Sequence, residues 1–112
     1  MKIAFTAKGT AWEDQIDPRF GRTDYFLVFD DVNDELTVLD NRAQSQEEHG
    51  AGPRSAQVIL EQKPDVLITG NGPGGNASKA LESASLEIFT GAGGMNVKEA
   101  YEAYKAGELN KI

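Results

Sequence analysis

The sequence predicts an α/β fold with a mixed five-stranded sheet, and three observations lead there. Five short apolar or β-branched runs read as strands: Lys2–Ala7, Tyr25–Asp30, Glu35–Asp40, Asp65–Thr69 and Leu86–Phe89. The later runs alternate with segments whose apolar residues recur at helical spacing. Glycine-rich turns follow the fourth and fifth runs. Alternating strands and helices imply right-handed crossovers and a parallel sheet covered by helices. The first, fourth and fifth strands then run parallel, and a hairpin of the second and third extends the sheet beyond the first. The predicted order is 3-2-1-4-5 with strand 2 antiparallel, in one domain over residues 1–112.

Each element has its own justification. Lys2–Ala7, KIAFTA, is a short apolar strand bounded by Lys8-Gly9-Thr10. Residues 8–23 form a long polar loop. Tyr25–Asp30, YFLVFD, is aromatic and β-branched, Asp31–Asp34 is a turn of hairpin length, and Glu35–Asp40, ELTVLD, alternates as a half-buried strand does. A second polar stretch covers residues 41–52. Pro53 suits the first turn of a helix carrying Ala56, Ile59 and Leu60 on one face, and Lys63-Pro64 stops it. Asp65–Thr69 is an apolar run of buried-strand type. Ala77, Ala80, Leu81 and Ala84 form a small-residue stripe, so a helix follows the glycine loop at 70–76. Asn96 caps a last helix whose face holds Val97, Ala100, Tyr101 and Tyr104, and Gly107 ends it.

Composition narrows the function. At 112 residues, 39% apolar and 26% charged, the chain is an ordinary globular domain. No apolar stretch approaches the roughly 18–20 residues of a membrane span, and MKIAFTAKG reads as a strand rather than a signal peptide. No membrane partner is expected, and nothing directs the chain out of the cytoplasm. The absence of cysteine removes disulfides, thiolate nucleophiles and cysteine-held iron–sulfur clusters. A net charge of −7 argues against nucleic acid, because neutralising phosphates needs a basic face. Yet Arg19, Arg22, Arg42 and Arg54, all the arginines present, fall within residues 19–54. They suggest a local cationic rim suited to a compact anion.

The stretch ITGNGPGGNA, residues 68–77, contains Gly70-Asn71-Gly72-Pro73-Gly74-Gly75 and so matches the dinucleotide pattern G-x-G-x-x-G. A dinucleotide site also needs an acidic residue about 20 positions on, at the end of the next strand. Here that strand ends in Phe89-Thr90-Gly91, without a carboxylate. The pattern also falls late in the chain instead of opening a first βαβ unit. NAD is therefore not expected, and no Gly-Lys-Ser/Thr follows to make a Walker A loop. The glycine loops at 70–76 and 91–94, together with the 8–23 loop, each follow a parallel strand. They should gather at the carboxyl edge of the sheet, where backbone amides at helix starts favour an anion.

Several segments together resemble the dinitrogenase iron–molybdenum cofactor biosynthesis family. They are Asp17-Pro18-Arg19-Phe20-Gly21-Arg22, then His49-Gly50-Ala51-Gly52, then Asp65-Val66-Leu67-Ile68-Thr69-Gly70-Asn71-Gly72-Pro73, and finally Gly91 with a last helix bearing Tyr104, Gly107 and Leu109. The resemblance runs through nearly the whole chain and is closest to the family's small stand-alone members. It implies a ribonuclease H-like three-layer fold and a place in nitrogen fixation. It also implies binding or carrying of the iron–molybdenum cofactor or an iron–sulfur precursor, with a cofactor-assembly or acceptor protein as partner. Residues carried over as cofactor-binding are Arg19, Phe20, Gly21, Arg22, Gly70, Asn71, Gly72, Pro73, Gly91, Gly93 and Gly94, with His49 as a metal ligand. Where many members have histidine before Phe-Gly, this chain has Arg19, which pairs with anions and ligates no metal. His49 is then the one side chain able to ligate iron through a nitrogen.

The expected function is thus a non-catalytic binding or carrier domain for an anionic metallocluster. A small regulatory or interaction domain is the alternative. A metal-dependent nuclease is a weaker reading, because KIAFTA carries no carboxylate and Asp65 lies at the amino end of its strand. One histidine and no cysteine build no Cys-His set, and no nucleophile elbow accompanies His49. Trp12, in a polar loop, either rests on the pocket or covers an edge of the core. The sequence leaves the oligomeric state open.

Overall fold

The computed structural model describes residues 1–46 and 50–112. Among these, the strands are β1 (Lys2–Ala7), β2 (Tyr25–Asp30), β3 (Glu35–Asp40), β4 (Val66–Ile68), β5 (Glu87–Thr90) and β6 (Asn110–Lys111). The helices are α1 (Arg42–Ser45), α2 (Ala51–Leu60), α3 (Gly75–Leu81) and α4 (Val97–Lys105). The sheet order is β3-β2-β1-β4-β5-β6. β1, β4 and β5 are parallel neighbours, and β2 is antiparallel to both β1 and β3.

The predicted order and strand directions therefore hold, but the sheet has six strands among the described residues, not five. The sixth, Asn110-Lys111, runs antiparallel to β5 at the edge. Two polar residues carry no strand signal of their own. They become a strand because the chain leaving α4 passes the open edge of β5, where Ile112 N–H reaches the Ile88 carbonyl at 2.9 Å. The one-turn helix α1 likewise lies inside a stretch read as loop, and α3 ends at Leu81, leaving Ala84 outside it.

Side chains alternate across the sheet and build two cores. Ile3, Phe5, Leu27, Val66 and Ile68 face α4 and its Val97 and Ala100. Ala4, Phe26, Val28 and Leu67 face the other way, against Ala56 and Ile59 of α2 and Ala77 and Leu81 of α3. Strands β1 and β4 are buried on both faces, as parallel strands between helices are. Strand β3 departs from its predicted half-burial: Leu36 and Val38 are 37% and 42% exposed, because no helix among the described residues covers that end of the sheet on the α4 side.

Trp12 covers the core edge. Its ring lies 5.9 Å from Phe5, 5.1 Å from Phe29 and 5.6 Å from Tyr101, centroid to centroid. The start of α4 is a capping box: the Asn96 side chain accepts from Glu99 N–H at 2.7 Å, and the Glu99 carboxylate accepts from Asn96 N–H at 2.9 Å. Gly107, at φ 73°, follows Ala106, the C-cap of that helix.

Candidate functional site

The loops at the carboxyl ends of β1, β4 and β5 meet. The loop after β1 lies along the sheet rim, with Asp17 N–H donating to the Thr6 carbonyl at 3.1 Å and Ile16 N–H to Met95 at 2.9 Å. Asn71 N–H donates to the Pro18 carbonyl at 2.8 Å, and Gly91 N–H to the Gly70 carbonyl at 3.0 Å. Gly70 is needed for this approach, since a Cβ there would stand 2.6 Å from Pro18 Cα. Beneath the rim, the buried Thr6 hydroxyl donates to the Asp17 carbonyl at 2.7 Å and lies 2.9 Å from the Thr69 hydroxyl.

Beside this junction lies an open hollow of about 290 Å³, lined by Gly21, Arg22, Gly50–Pro53 and Gly74–Ala77. Two helix starts form its walls. Backbone bonding begins with Arg54 N–H to Gly50 in α2 (3.1 Å) and Ser78 N–H to Gly74 in α3 (2.8 Å). The N–H groups of Ala51, Gly52, Gly75, Asn76 and Ala77 thus precede any intrahelical acceptor, as first-turn amides do. They and the two helix dipoles give the hollow positive potential without a formal charge.

A buried polar knot sets the position of the Gly21–Arg22 wall. Asn41, fully buried, donates through Nδ2 to the Thr23 carbonyl at 3.0 Å and to Ser55 Oγ at 2.9 Å. Ser55 Oγ in turn donates to the Gly21 carbonyl at 3.2 Å, tying the loop to α2. The Arg22 guanidinium, on the rim of the hollow, donates to the Ser45 carbonyl at 2.7 Å.

The structure places the sequence-predicted residues differently. Gly21 and Arg22 line the hollow. Gly70, Asn71, Gly91 and Gly93 form the adjacent loop junction, and Gly72 turns back toward Thr90 of β5. Pro73 leads into α3, its carbonyl accepting from the Ser78 hydroxyl at 3.3 Å, while Gly94 lies in open space. Phe20 is core, with its ring 5.5 Å from Phe26. Arg19 points to Asp17: its Nε and a terminal nitrogen donate to the two oxygens of that buried carboxylate at 3.1 and 3.2 Å. This pairing raises the guanidinium pKa above its ordinary value. His49 lies outside the described residues. Gly74, Gly75 and Asn76 of the hollow belong to the 70–76 loop expected to offer amides to an anion, and Gly50–Gly52 to the segment after His49 that carries the family resemblance, whereas Pro53 and Ala77 are read from sequence only as helix residues.

Comparison with known proteins adds a family. A family model described as dinitrogenase iron-molybdenum cofactor matches residues 1–107. No curated protein matches the chain. Among solved structures, the apo form of the orange protein (ORP) from Desulfovibrio gigas superposes with a TM-score of 0.92 at 33% identity, over 99% of this chain and 92% of that one. A protein from Thermotoga (TM1290), described as a NifB candidate of the DUF35 family, gives a TM-score of 0.85 at 27% identity, over 98% and 91%. The crystal structure of PH0822 gives 0.75 at 20% identity, over 98% and 95%, and shares the fold.

Proposed function

This chain belongs to the dinitrogenase iron–molybdenum cofactor family, and from that premise we propose that it is a non-catalytic binding or carrier domain whose cargo is an anionic metallocluster. The iron–molybdenum cofactor or an iron–sulfur precursor is the cargo this reading favours, and a cofactor-assembly or acceptor protein is the recipient. The ribonuclease H-like description of the fold belongs to the same reading, supported by the strand order.

The observation that carries it is the convergence of two helix starts and Arg22 on one glycine-walled hollow. Gly21, Gly52 and Gly75 add no side chains to these walls, which favours close approach of an anion to main-chain amides. Among the described residues no three His, Cys, Asp or Glu side chains come together to hold a metal ion. The described walls therefore suit an anion's outer atoms, held by N–H donors and a guanidinium rather than by coordination of its metal. At about 290 Å³ the hollow sits at the lower end of the ~300–1,000 Å³ usual for ligand pockets. It would cradle part of a bulky cluster and leave the remainder accessible to a recipient. No described helix is long and apolar enough to cross a membrane, and the net charge of −7 disfavours nucleic acid. Both fit a carrier working in the cytoplasm.

The test is anaerobic titration with isolated iron–molybdenum cofactor and with an iron–sulfur precursor. Micromolar affinity, a spectral change and weakening in Arg22→Ala and His49→Ala are expected. The reading fails if neither cluster binds at micromolar protein, or if both variants behave as the parent does.

A further inference from the structure

We propose that the β3 edge binds an extended segment of a partner protein and that the hollow beside it receives an arginine or lysine side chain of that segment. This site lies on the α4 side of the sheet, away from the anion hollow, and does not depend on the reading above.

Two features meet there. First, β3 is a six-residue edge strand paired in continuous register with β2, from Glu35 opposite Asp30 to Asp40 opposite Tyr25. It contains no lysine, proline or bulge, and its two charges, Glu35 and Asp40, stand at its ends. Its outer backbone groups can extend the sheet by one more strand. Second, a hollow of about 400 Å³ lined by Trp12, Phe29, Leu36 and Asp34 opens next to it. Leu36 and Val38 share that face, opposite Phe29 and Leu27 of β2, and both are exposed.

The chemistry of the hollow selects its occupant. Two aromatic rings and an aliphatic side chain suit an apolar stem, and a carboxylate suits a cation at its end. Neither Asp34 nor Glu35 forms an ion pair among the described residues. An added strand runs about 4.8 Å from β3, so a long side chain opposite Leu36 spans the gap to Asp34 and Trp12. A second copy of this chain fits less well. Its net charge is −7, so two copies repel one another where a cationic segment is attracted.

The probe is the capped peptide acetyl-Thr-Arg-Val-Arg-Thr-amide, which as a strand presents both arginines on one face. Trp12, the sole tryptophan, reports occupancy by fluorescence. Saturable binding is expected, weakened by high salt, absent for the same peptide with glutamates replacing arginines, and about tenfold weaker in Asp34→Asn. Asn is tolerated at the positive φ of residue 34 (54°), so that variant keeps the turn. Val38→Lys, a change at an exposed position, should weaken binding as well. The proposal is overturned if the peptide does not bind, if the glutamate peptide binds equally, or if Asp34→Asn binds as the parent does. Sedimentation showing a concentration-dependent dimer that Val38→Lys dissolves would also overturn it, by making a second copy the occupant.

Discussion

Gly21 and Gly52 meet backbone to backbone: a Cβ on Gly21 would lie 2.9 Å from Gly52 Cα and 3.0 Å from its nitrogen. This contact seats the loop after β1 against the start of α2 and forms one corner of the anion hollow. Gly21→Ala should push the two apart at a cost of about 1–3 kcal/mol, as overpacking does. Thermal or denaturant unfolding measures it. An alanine variant as stable as the parent, with unchanged amide shifts at Ala51 and Gly52, would show that the corner is not tight.

Arg19 has a structural task whatever it does for a ligand. It supplies two of the hydrogen bonds to the buried Asp17 carboxylate, the other coming from its own backbone N–H at 3.0 Å. Arg19→Ala leaves that carboxylate with the single backbone donor, so a loss of about 1–3 kcal/mol is expected. Arg19→Lys should recover only part of it, because an ammonium cannot reproduce the two-pronged contact. Equal stability of all three proteins in urea would refute this.

Removal of the α4 cap should be felt more locally. Asn96→Ala deletes the acceptor for Glu99 N–H and should lower stability by about 0.5–2 kcal/mol. Because α4 packs through Val97 and Ala100 on the opposite face from the anion hollow, cluster affinity should not change. Loss of affinity along with stability would mean that the two faces are coupled.

Acid should release the Asp40–Arg42 pair. Arg42 donates to both carboxylate oxygens, at 3.0 and 2.7 Å, and its side-chain and backbone hydrogen bonds hold Asp40 down at about 2 against an ordinary 3.8. A carboxylate depressed on folding stabilises above its unfolded pKa, and that contribution fades as pH falls from about 4 toward about 2. A carbon-detected NMR titration should place the Asp40 midpoint near the lower value in the parent and higher, part of the way back to the ordinary one, in Arg42→Ala, which keeps the backbone hydrogen bond. Identical midpoints in the two proteins would rule the pairing out in solution.

Local sequence signals fixed most of the elements. The period-2 and helical spacings located the first five strands, α2 and α4, and Asn96 and Gly107 marked the ends of α4 because caps act through neighbouring backbone. The parallel β1-β4-β5 core was legible for a similar reason, since crossover handedness follows from strand twist. Tertiary structure decided the rest. Asn110-Lys111 is a strand only because β5 offers an open edge, and Leu36 and Val38 of β3 are exposed because no described helix covers them on the α4 side. The hollow is walled by Gly50–Pro53 and Gly74–Ala77, about two dozen residues apart. Their meeting depends on α2 and α3 packing over Ala56, Ile59, Ala77 and Leu81. No local pattern records that packing, because the amides that form the site are main-chain groups every residue except proline carries.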